Sequence, residues 1–394
     1  MNEITNFEEL GIQPEYIEKL LKNEIKEPTK VQAQVIPEII DGKSVLFQSE
    51  TGTGKTLAYL MPLIQKLEKV ENPKREVKLL VIAPTVELAS QIKTQAQLIS
   101  NQKVMLLVGG ASIKRQVESL KEKPLVVIGG PARLLELFHL KKLKLEGTEA
   151  IVLDEVDRLL SPELRDETLE LVNTLKKDIQ LIACSATLTK STRQILQETR
   201  VKTNGETESD LETLFLPPED ILRKRITHIA IFAENRDKID TLRKFLVGEK
   251  PEKTLIFTSK IDQVANIVVK LKYKNIECEG LHGKTDKVER KSIIDRFKSG
   301  KISVLVTSDL TSRGLDIPNI THIVQMDLPS NEDFFIHRAG RTARAGKSGV
   351  NIVIGDEYEM RKFAALEKKL KITVNPRMLY KGKLVDPKDF TSET

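Results

Sequence analysis

Residues 45–56 read Val-Leu-Phe-Gln-Ser-Glu-Thr-Gly-Thr-Gly-Lys-Thr, and they carry the clearest structural signal in this 394-residue chain. A short apolar run at 45–48 leads through a glycine-containing turn into an amphipathic stretch at 56–70. This pattern predicts a buried strand followed by a helix. Glycines let backbone N–H groups face a phosphate, and the N-terminus of the helix favours negative charge. The stretch therefore predicts a phosphate-binding turn at the carboxyl end of a strand.

Two side chains complete this turn. Lys55 would reach the β- and γ-phosphates of a nucleotide, and the Thr56 hydroxyl would be a ligand of Mg²⁺. The strict form of the pattern has glycine where Ser49 stands, so the match departs by one small residue. Taken alone, the turn also fits a glycine-rich loop that binds nothing.

An acidic motif about 100 residues later favours the nucleotide site. The apolar run 151–153 leads directly into Asp154-Glu155-Val156-Asp157. A carboxylate at the end of a strand can hold Mg²⁺ through water, and the adjacent one can orient an attacking water. The alternative, an acidic turn that opens a helix, is weaker beside a phosphate-binding turn. Together the two motifs predict an NTPase.

Short apolar runs recur along the whole chain and alternate with amphipathic stretches. Besides 45–48 and 151–153, they are residues 79–83, 104–108, 125–128, 181–184, 254–257, 302–307, 322–326 and 350–354. This alternation predicts an α/β protein with two tandem domains, each a mostly parallel sheet flanked by helices. In such sheets ligands bind beyond the carboxyl ends of the strands, which is where the unusual polar clusters of this chain stand.

An acidic and polar segment at 200–220, which contains Pro217-Pro218, interrupts the alternation and predicts a domain boundary. The expected organisation is a first domain at 1–205, a linker at 206–225, a second domain at 226–370 and a short polar tail at 371–394.

Composition excludes several classes of protein. The 63 Lys and Arg exceed the 57 Asp and Glu by six, an excess that permits a polyanionic partner but equally fits a solvated surface. No apolar run reaches the ~18 residues of a membrane helix, and the start lacks a secretory signal pattern. Cys184 and Cys278 are too few for a disulfide framework and are expected to be buried. We therefore expect a soluble, cytoplasmic protein.

The second half contains a basic cluster, His337-Arg338-Ala339-Gly340-Arg341-Thr342-Ala343-Arg344, but no second phosphate-binding turn. Arg341 and Arg344, three apart on one helical face, would meet a γ-phosphate held by the other domain. Such an arginine finger contributes ~10³–10⁵ in rate. The structural alternative is a solvated basic helix.

In this order the clusters resemble the motifs of the DEAD-box RNA helicases of superfamily 2, over residues 7–354. The matching segments are Phe7 with Pro28-Thr29 and Gln32, then Ser49–Thr56, Pro84–Ala89, Gly109-Gly110, Gly130–Arg133, Asp154–Asp157, Ser185–Thr187, Leu255–Ser259, His282–Arg290, Ser308–Asp316 and His337–Arg344. The resemblance implies two RecA-like domains with a cleft between them, and an RNA-stimulated ATPase of the minimal bacterial type.

The resemblance also implies an ATP site with Mg²⁺. Its residues would be Phe7, Gln32, Thr51, Gly52, Thr53, Gly54, Lys55, Thr56, Asp154, Asp316, Arg341 and Arg344. Within the adenine-reading segment 1–40, Phe7 would stack on the base and Gln32 would read its edge. The alternative for Phe7 is a buried ring at a helix end. Asp316 would contact the ribose, and Thr56 and Asp154 would hold the metal.

Three further sets of residues follow from the resemblance. Catalysis would involve Lys55, Glu155, Arg341, Arg344 and His337, and coupling between the domains would involve Ser185, Thr187 and Asp157. RNA would be bound along its backbone, without sequence preference, by Thr85, Gly110, Gly130, Arg133, Arg290 and Ser308.

Departures from the family pattern concentrate on the RNA side. Val86 stands in place of Arg, Gly130 in place of Thr, Ala132 in place of Gly and Lys287 in place of Gln, whereas Val156 replaces an Ala that faces the core. Each lost charged contact weakens binding by ~1 kcal/mol, so we expect weak RNA binding by the isolated protein.

The leading hypothesis is an ATP-dependent RNA helicase that separates short duplexes or remodels ribonucleoproteins, acting as a monomer. One alternative is an ATP-gated RNA clamp that needs a protein partner and unwinds little. A DNA helicase of the same superfamily is disfavoured by Asp157 and Gln32. A structural protein with a vestigial nucleotide site is disfavoured because the catalytic positions are all filled.

Overall fold

The structure is a computed structural model. It describes residues 6–49, 52–69, 76–176, 178–204, 211–215, 221–283, 285–309, 317–329, 331–344 and 347–390. The chain divides into two compact units, Met1–Pro218 and Glu219–Thr394.

The first unit is built on a parallel sheet of seven strands. They are β1 Ser44–Gln48, β2 Leu79–Ile82, β3 Val104–Leu107, β4 Val126–Gly129, β5 Ala150–Asp154, β6 Gln180–Ser185 and β7 Leu211–Phe215. Their order in the sheet is β3-β4-β2-β5-β6-β1-β7, and every paired neighbour runs parallel.

Helices cover both faces of this sheet, so the strands are buried on both sides. The helices are α1 Pro14–Leu21, α2 Lys30–Ile40, α3 Lys55–Glu68, α4 Val86–Ile99, α5 Ile113–Leu120, α6 Pro131–His139, α7 Val156–Leu159, α8 Arg165–Asn173 and α9 Lys190–Asn204. Successive strand residues point to opposite faces: Leu46 packs into one apolar core and Phe47 into the other. Burial on both faces explains why the strands read as continuous apolar runs rather than as alternating ones.

The second unit contains an eight-stranded sheet. Its strands are β8 Ile226–Phe232, β9 Thr254–Phe257, β10 Glu279–Leu281, β11 Val304–Thr307, β12 His322–Gln325, β13 Gly349–Gly355, β14 Val374–Tyr380 and β15 Lys383–Val385. The order is β10-β11-β9-β12-β13-β8-β14-β15, and all described pairs run parallel except the terminal hairpin of β14 and β15.

Five α-helices of the second unit lie within the described residues, together with a π-helical turn at Ile221–Arg225 and a 3₁₀ turn at Pro387–Phe390. They are α10 Lys238–Glu249, α11 Ile261–Tyr273, α12 Lys287–Lys298, α13 Glu332–Ala339 and α14 Glu357–Leu370. In the part of the chain that is described, none of the helices in either unit has the length and apolarity needed to cross a membrane.

The structure corrects two of the expected boundaries. Part of the expected linker, Leu211–Phe215, is strand β7 and pairs with β1. Part of the expected tail, Val374–Tyr380, is strand β14 and pairs with β8. Both strands are peripheral and mix polar with apolar residues, and β14 contains Pro376, so neither shows the apolar run by which a central strand is recognised. The expected burial of Cys184 and Cys278 is confirmed.

Candidate functional site

Apart from Phe7, Gln32 and Thr51, the site residues predicted in the first unit follow the carboxyl ends of its strands, and the strand order sorts them into two groups. The neighbours β5, β6 and β1 carry the acidic motif, the Ser185-Ala186-Thr187 segment and the phosphate-binding turn. The neighbours β3, β4 and β2 carry the loops that contain Gly110, Gly130 and Thr85. One edge of the sheet therefore presents two adjoining sets of loops, one suited to a nucleotide and the other to a second ligand.

The phosphate-binding turn connects β1 to α3. Gly52 and Gly54 have φ of 85° and 91°, in the left-handed region that favours glycine. The hydroxyls of Ser49 and Thr53 lie 2.6 Å apart and bond to each other across the turn, so serine is accommodated where the strict pattern has glycine. Lys55 Nζ donates to the Ser49 carbonyl oxygen at 2.6 Å. The predicted Thr51 lies outside the described residues.

Gln32 joins the N-terminal segment to this turn. Its side-chain nitrogen donates to the Gly54 carbonyl oxygen at 3.2 Å, while its side-chain oxygen accepts the Thr29 backbone N–H at 2.9 Å. Gly54 has φ 91°, and a Cβ there would stand 2.6 Å from the Gln32 side-chain nitrogen, so another residue would strain the turn and displace Gln32. The predicted adenine-reading residue and the predicted phosphate turn are therefore neighbours.

The structure does not support stacking of Phe7 on a base. The side chain is only 2% exposed and belongs to the same apolar core as Leu10 and Ile12. Stacking requires an accessible ring face. Phe7 therefore takes the alternative role, that of a buried ring that anchors the N-terminal segment.

The carboxylate of Asp154 is fixed at both oxygens. Its Oδ2 accepts the Tyr59 hydroxyl at 2.8 Å, and its Oδ1 accepts the Glu155 backbone N–H at 2.9 Å and the Cys184 thiol at 3.3 Å. Burial and the nearby Asp154 carboxylate raise the pKa of Tyr59 and that of Cys184 well above their usual values, so both groups stay protonated and can donate.

Glu155 occupies a special backbone position. It precedes α7 with φ 51° and ψ 54°, in the left-handed region that non-glycine residues enter at a cost of about 1–3 kcal/mol. Strain of this kind is concentrated at functional sites, where the surrounding structure holds it in place. The observation supports a functional role for Glu155 beyond opening a helix.

The Ser185-Ala186-Thr187 segment connects the two motifs. Its Thr187 hydroxyl donates to Asp157 Oδ2 at 2.7 Å, and the Ser49 backbone N–H donates to the Ser185 carbonyl oxygen at 3.0 Å. The Gln48 side chain also donates to the Ala186 carbonyl oxygen at 3.0 Å. The three residues predicted to couple nucleotide state to domain movement are thus brought together with the phosphate-binding turn.

The loops after β2, β3 and β4 contain the other predicted group. The Thr85 hydroxyl caps α4 by accepting the Leu88 backbone N–H at 3.2 Å, and the adjacent Val86 side chain is 46% exposed. Arg133, in the first turn of α6, donates to the Ala111 carbonyl oxygen at 3.0 Å and so joins α6 to the loop that holds Gly110. The first turn of α4 also offers backbone N–H groups that can meet an anion.

Steric crowding does not require glycine at position 130, where the family has Thr. A Cβ at Gly130 would come no closer than 3.9 Å to any neighbour, the Ala83 carbonyl oxygen. The missing hydroxyl is therefore not compensated by a tighter approach of the backbone at this position.

In the second unit, one arginine organises the predicted motifs. Arg338 is 1% exposed, and its guanidinium bonds to both carboxylate oxygens of Asp309 at 2.6 and 2.7 Å. The same group donates to Ser259 Oγ at 2.9 Å and to the Asp327 carbonyl oxygen at 2.9 Å. Burial by itself would raise the pKa of Asp327, but the Arg338 charge and the Ser259 hydrogen bonds hold it below its usual value. The Arg338 side chain therefore holds together the loops that follow three strands, β9, β11 and β12.

A line of polar groups continues from Arg338 through the core of the sheet. Arg338 donates to the Gln325 side chain, whose nitrogen donates to Asn351 at 2.9 Å. Asn351 in turn donates to His228 Nδ1 at 3.1 Å, and His228 Nε2 donates to the Leu222 carbonyl oxygen at 2.8 Å. Burial lowers the pKa of His228, which keeps the ring neutral and able to accept from Asn351.

The structure corrects the expected geometry of Arg341 and Arg344. Helix α13 ends at Ala339, so these arginines follow the helix and do not share one helical face. The chain turns there because Gly340 ends the helix and Ala343 has φ 56°. Arg341 is 6% exposed, and Arg344 Nε donates to the Gly340 carbonyl oxygen at 3.1 Å.

The remaining predicted residues of the second unit lie on separate elements. His337 is in the last turn of α13 and Arg290 is in the first turn of α12. Ser308 follows β11 and is 2% exposed. Asp316 lies outside the described residues.

Sequence reasoning missed two central side chains, Tyr59 and Arg338. The signal for Tyr59 is its phenol, the one side-chain oxygen in the otherwise apolar run 57–64, placed three residues after Thr56. Arg338 was visible inside the basic cluster, but the pattern does not distinguish a buried arginine from its exposed neighbours.

Two family models match the sequence. The model of the DEAD/DEAH box helicase matches residues 29–195, and that of the helicase conserved C-terminal domain matches residues 237–346. The DEAD-box ATP-dependent RNA helicase CshC of Bacillus cereus is 35% identical over 368 residues, covering 92% of this chain and 91% of that protein. The probable ATP-dependent RNA helicase YfmL of Bacillus subtilis is 35% identical over 362 residues, covering 91% and 93%.

Solved structures agree with these matches. S. cerevisiae Dbp5 bound to RNA and ADP BeF3 is 27% identical, with a TM-score of 0.83 and coverage of 95% of each chain. Mss116p bound to ssRNA and AMP-PNP is 26% identical, with a TM-score of 0.82 and coverage of 98% of this chain and 80% of that one. The expected fold class, two α/β units of the RecA-like type, is confirmed.

Proposed function

The chain belongs to the DEAD-box family of ATP-dependent RNA helicases, and on this premise we propose which of its residues serve ATP and which serve RNA. The resemblance seen in the motifs is confirmed, and the chain is an enzyme that uses ATP to act on RNA. The similar proteins are helicases, which favours this function over the RNA clamp that unwinds little.

One observation carries the assignment of ATP to the first unit. The phosphate-binding turn, the acidic motif and the Ser185-Ala186-Thr187 segment are joined by hydrogen bonds at one edge of the sheet. In our proposal the turn and Lys55 hold the phosphates, and Gln32 reads adenine. Lys55 neutralises charge that develops on the γ-phosphate, and Glu155 orients the attacking water.

The oxygen donors at this edge fit Mg²⁺, which is usually held by one or two protein groups together with substrate phosphates. A carboxylate has about four acceptor positions, and three positions of Asp154 are occupied by protein donors. The fourth is left for a water of the metal's shell, and the Thr56 hydroxyl would be a direct ligand. When bound, Mg²⁺ supplies positive charge that stabilises the phosphate oxygens during transfer.

We assign RNA to the loops after β2, β3 and β4 and to two positions of the second unit. The proposed contacts are Thr85, Gly110, Gly130, Arg133, Arg290 and Ser308. What supports this is the grouping of the first four on neighbouring strands, beside the nucleotide loops. Contacts of this kind go to the sugar-phosphate backbone, so binding is independent of sequence and weakens with salt.

The second unit would contribute to ATP hydrolysis as well. We propose that Arg341 and Arg344 stabilise the phosphates, that Asp316 contacts the ribose and that His337 helps to link the two ligands. Ser185, Thr187 and Asp157 would couple the nucleotide state to movement of the units. Phosphate release would then free the strand.

We further propose that the protein works in the cytoplasm as a monomer, alone or with a protein or ribonucleoprotein partner. The similarity to bacterial RNA helicases supports the cytoplasmic location.

Steady-state ATP hydrolysis tests the proposed function. The rate is measured without nucleic acid, with single-stranded RNA and with single-stranded DNA, and Lys55→Ala serves as the blank. We expect stimulation by RNA and not by DNA, because 2′-hydroxyl contacts distinguish the two. A rate that RNA does not raise would contradict the assignment of the RNA loops, and equal stimulation by DNA would contradict the RNA specificity.

The Val86→Arg substitution tests the RNA surface. The Val86 side chain is exposed beside Thr85, so an arginine there would be accessible to a phosphate of bound RNA. We expect RNA affinity to rise about fivefold. The slope of log K against log salt should become steeper by ~0.7 for a single strand. The measurement is a titration of labelled single-stranded RNA at several salt concentrations, with a non-hydrolysable ATP analogue present.

Val269→Arg is the matched control, because Val269 is exposed on α11, which carries none of the proposed RNA residues. An equal change in RNA affinity and salt slope in both variants would mean that any added positive charge strengthens binding. It would contradict a contact between residue 86 and RNA. The same titration of the unsubstituted chain tests the expected weak binding of RNA. A nanomolar Kd at physiological salt would contradict that expectation.

A further inference from the structure

Tyr59 is buried beside the carboxylate that we assign to Mg²⁺. It lies on α3 one turn after Thr56, and its side chain is 0% exposed. The hydroxyl donates to Asp154 Oδ2 at 2.8 Å. Helix α3 thus carries both the proposed hydroxyl ligand, Thr56, and the phenol that holds the proposed carboxylate ligand at the end of β5.

Packing alone does not account for this hydroxyl. The ring of Tyr59 lies in an apolar core in which every neighbour on α3 from Leu57 to Ile64 is apolar, and a phenylalanine ring fills nearly the same volume. A buried hydroxyl lowers stability unless it finds a partner, and the partner here is the proposed carboxylate ligand Asp154. The hydroxyl oxygen of Tyr59 therefore affects the proposed magnesium site, whereas the ring fills space in the core.

The second oxygen of Asp154 is held independently. Oδ1 accepts the Glu155 backbone N–H and the Cys184 thiol, which come from the following residue and from the neighbouring strand β6. The backbone N–H cannot be moved by a side-chain change, and the thiol is a weak donor. The Tyr59 hydroxyl is therefore the strongest side-chain donor that sets the rotation of the carboxylate.

We propose that Tyr59 is a positioning residue for the magnesium site: its hydroxyl fixes the Asp154 carboxylate in the orientation that binds Mg²⁺ with the nucleotide. This inference rests on the proposed function, which assigns Thr56 and Asp154 to the metal. Groups that orient metal ligands in this way change metal affinity or activity by 10–100-fold when they are removed.

The test is Tyr59→Phe, which removes one oxygen and keeps the ring. Binding of a fluorescent ADP analogue is titrated with Mg²⁺ in the full-length protein and, separately, in EDTA. We expect the Mg²⁺ concentration at half-saturation to rise about 10–100-fold, with nucleotide affinity in EDTA unchanged. In steady-state ATP hydrolysis, kcat should fall at low Mg²⁺ and recover as Mg²⁺ is raised.

Tyr16→Phe is the matched control. Tyr16 is also buried in the first unit, and its hydroxyl donates to the Glu68 carboxylate at 2.7 Å, far along α3 from the phosphate-binding turn. This variant loses an equivalent hydroxyl–carboxylate bond and should keep the natural Mg²⁺ dependence. An equal shift in both variants would show a general loss of packing and would overturn the proposal.

Asp154→Asn separates the inference from its premise. If Asp154→Asn abolishes the Mg²⁺ dependence while Tyr59→Phe leaves it unchanged, the metal site stands and the role of Tyr59 is wrong. If Asp154→Asn has no effect on Mg²⁺ dependence, the metal assignment itself is wrong. Loss of nucleotide binding by Tyr59→Phe in EDTA as well as in Mg²⁺ would also overturn the proposal, because it would show a structural role.

Discussion

Glu155→Gln is expected to lower kcat for ATP hydrolysis by about 10²–10⁴-fold while leaving ATP and RNA binding close to their natural strength. The amide keeps the size of the side chain and its place before α7, but it cannot accept a proton from water. Glu155 has a strained backbone conformation next to Asp154, and the surrounding structure holds it there. The backbone conformation should therefore be the same in the Gln variant. Single-turnover hydrolysis and equilibrium ATP binding separate the two effects.

Glu163→Gln provides the control for this prediction. Glu163 follows the same short helix, is largely exposed and bonds to Ser161 and Arg158 at the surface. Its substitution should change kcat less than twofold. The role of Glu155 in orienting the attacking water would be refuted if the variant kept the kcat of the unsubstituted protein. It would also be refuted if kcat fell only because ATP binding was lost.

The second large effect is expected from Arg338→Met, which should destabilise the second unit by about 3 kcal/mol. The substitution keeps an apolar chain of similar length but removes the guanidinium charge that lies beside the partly buried carboxylates of Asp309 and Asp327. Their side chains retain 15% and 23% exposure, so water reduces the penalty, and we expect the lower end of the range for a broken buried pair.

Hydrogen exchange on peptides of the intact protein measures this loss unit by unit. Peptides of the second unit should lose protection while those of the first unit keep it. Arg361→Met is the control, because Arg361 and its partner Glu357 are exposed on α14 and such pairs contribute at most about 1 kcal/mol. Equal protection in the Arg338 and Arg361 variants would show that the buried ion pairs do not hold the unit together.

The fold and the nucleotide half of the site were readable from the sequence because their signals are local. A buried parallel strand is a short apolar run, and the residues that follow it fall at the carboxyl edge whatever the rest of the chain does. The phosphate-binding turn and Asp154-Glu155 could therefore be placed without knowing the strand order. The grouping of the loops that we assign to nucleotide and to RNA could not be predicted, because it depends on the order β3-β4-β2-β5-β6-β1-β7.

The predictions that failed depended on three-dimensional context. Phe7 was assigned by its place before Gln32, but its environment is an apolar core. Arg341 and Arg344 were placed on a helix by their spacing, which does not reveal that the helix ends at Ala339. Strands β7 and β14 were missed because peripheral strands are partly exposed and lack continuous apolar runs. Tyr59 was missed because a tyrosine in an apolar helix gives no indication of which oxygen it will meet.

The strand order also has a consequence for the synthesis of the protein. In the first sheet β1 lies between β6 and β7, and in the second sheet β8 lies between β13 and β14, so the earliest strand of each unit pairs only with its latest ones. A ribosome that has released the chain as far as residue 340 has delivered β8 without either of its partners. Each sheet must therefore close over a long sequence separation, which slows folding and leaves an unpaired apolar strand in the nascent chain. The late strands β13 and β14, of which β14 lies in the expected polar tail, therefore complete the second sheet around β8.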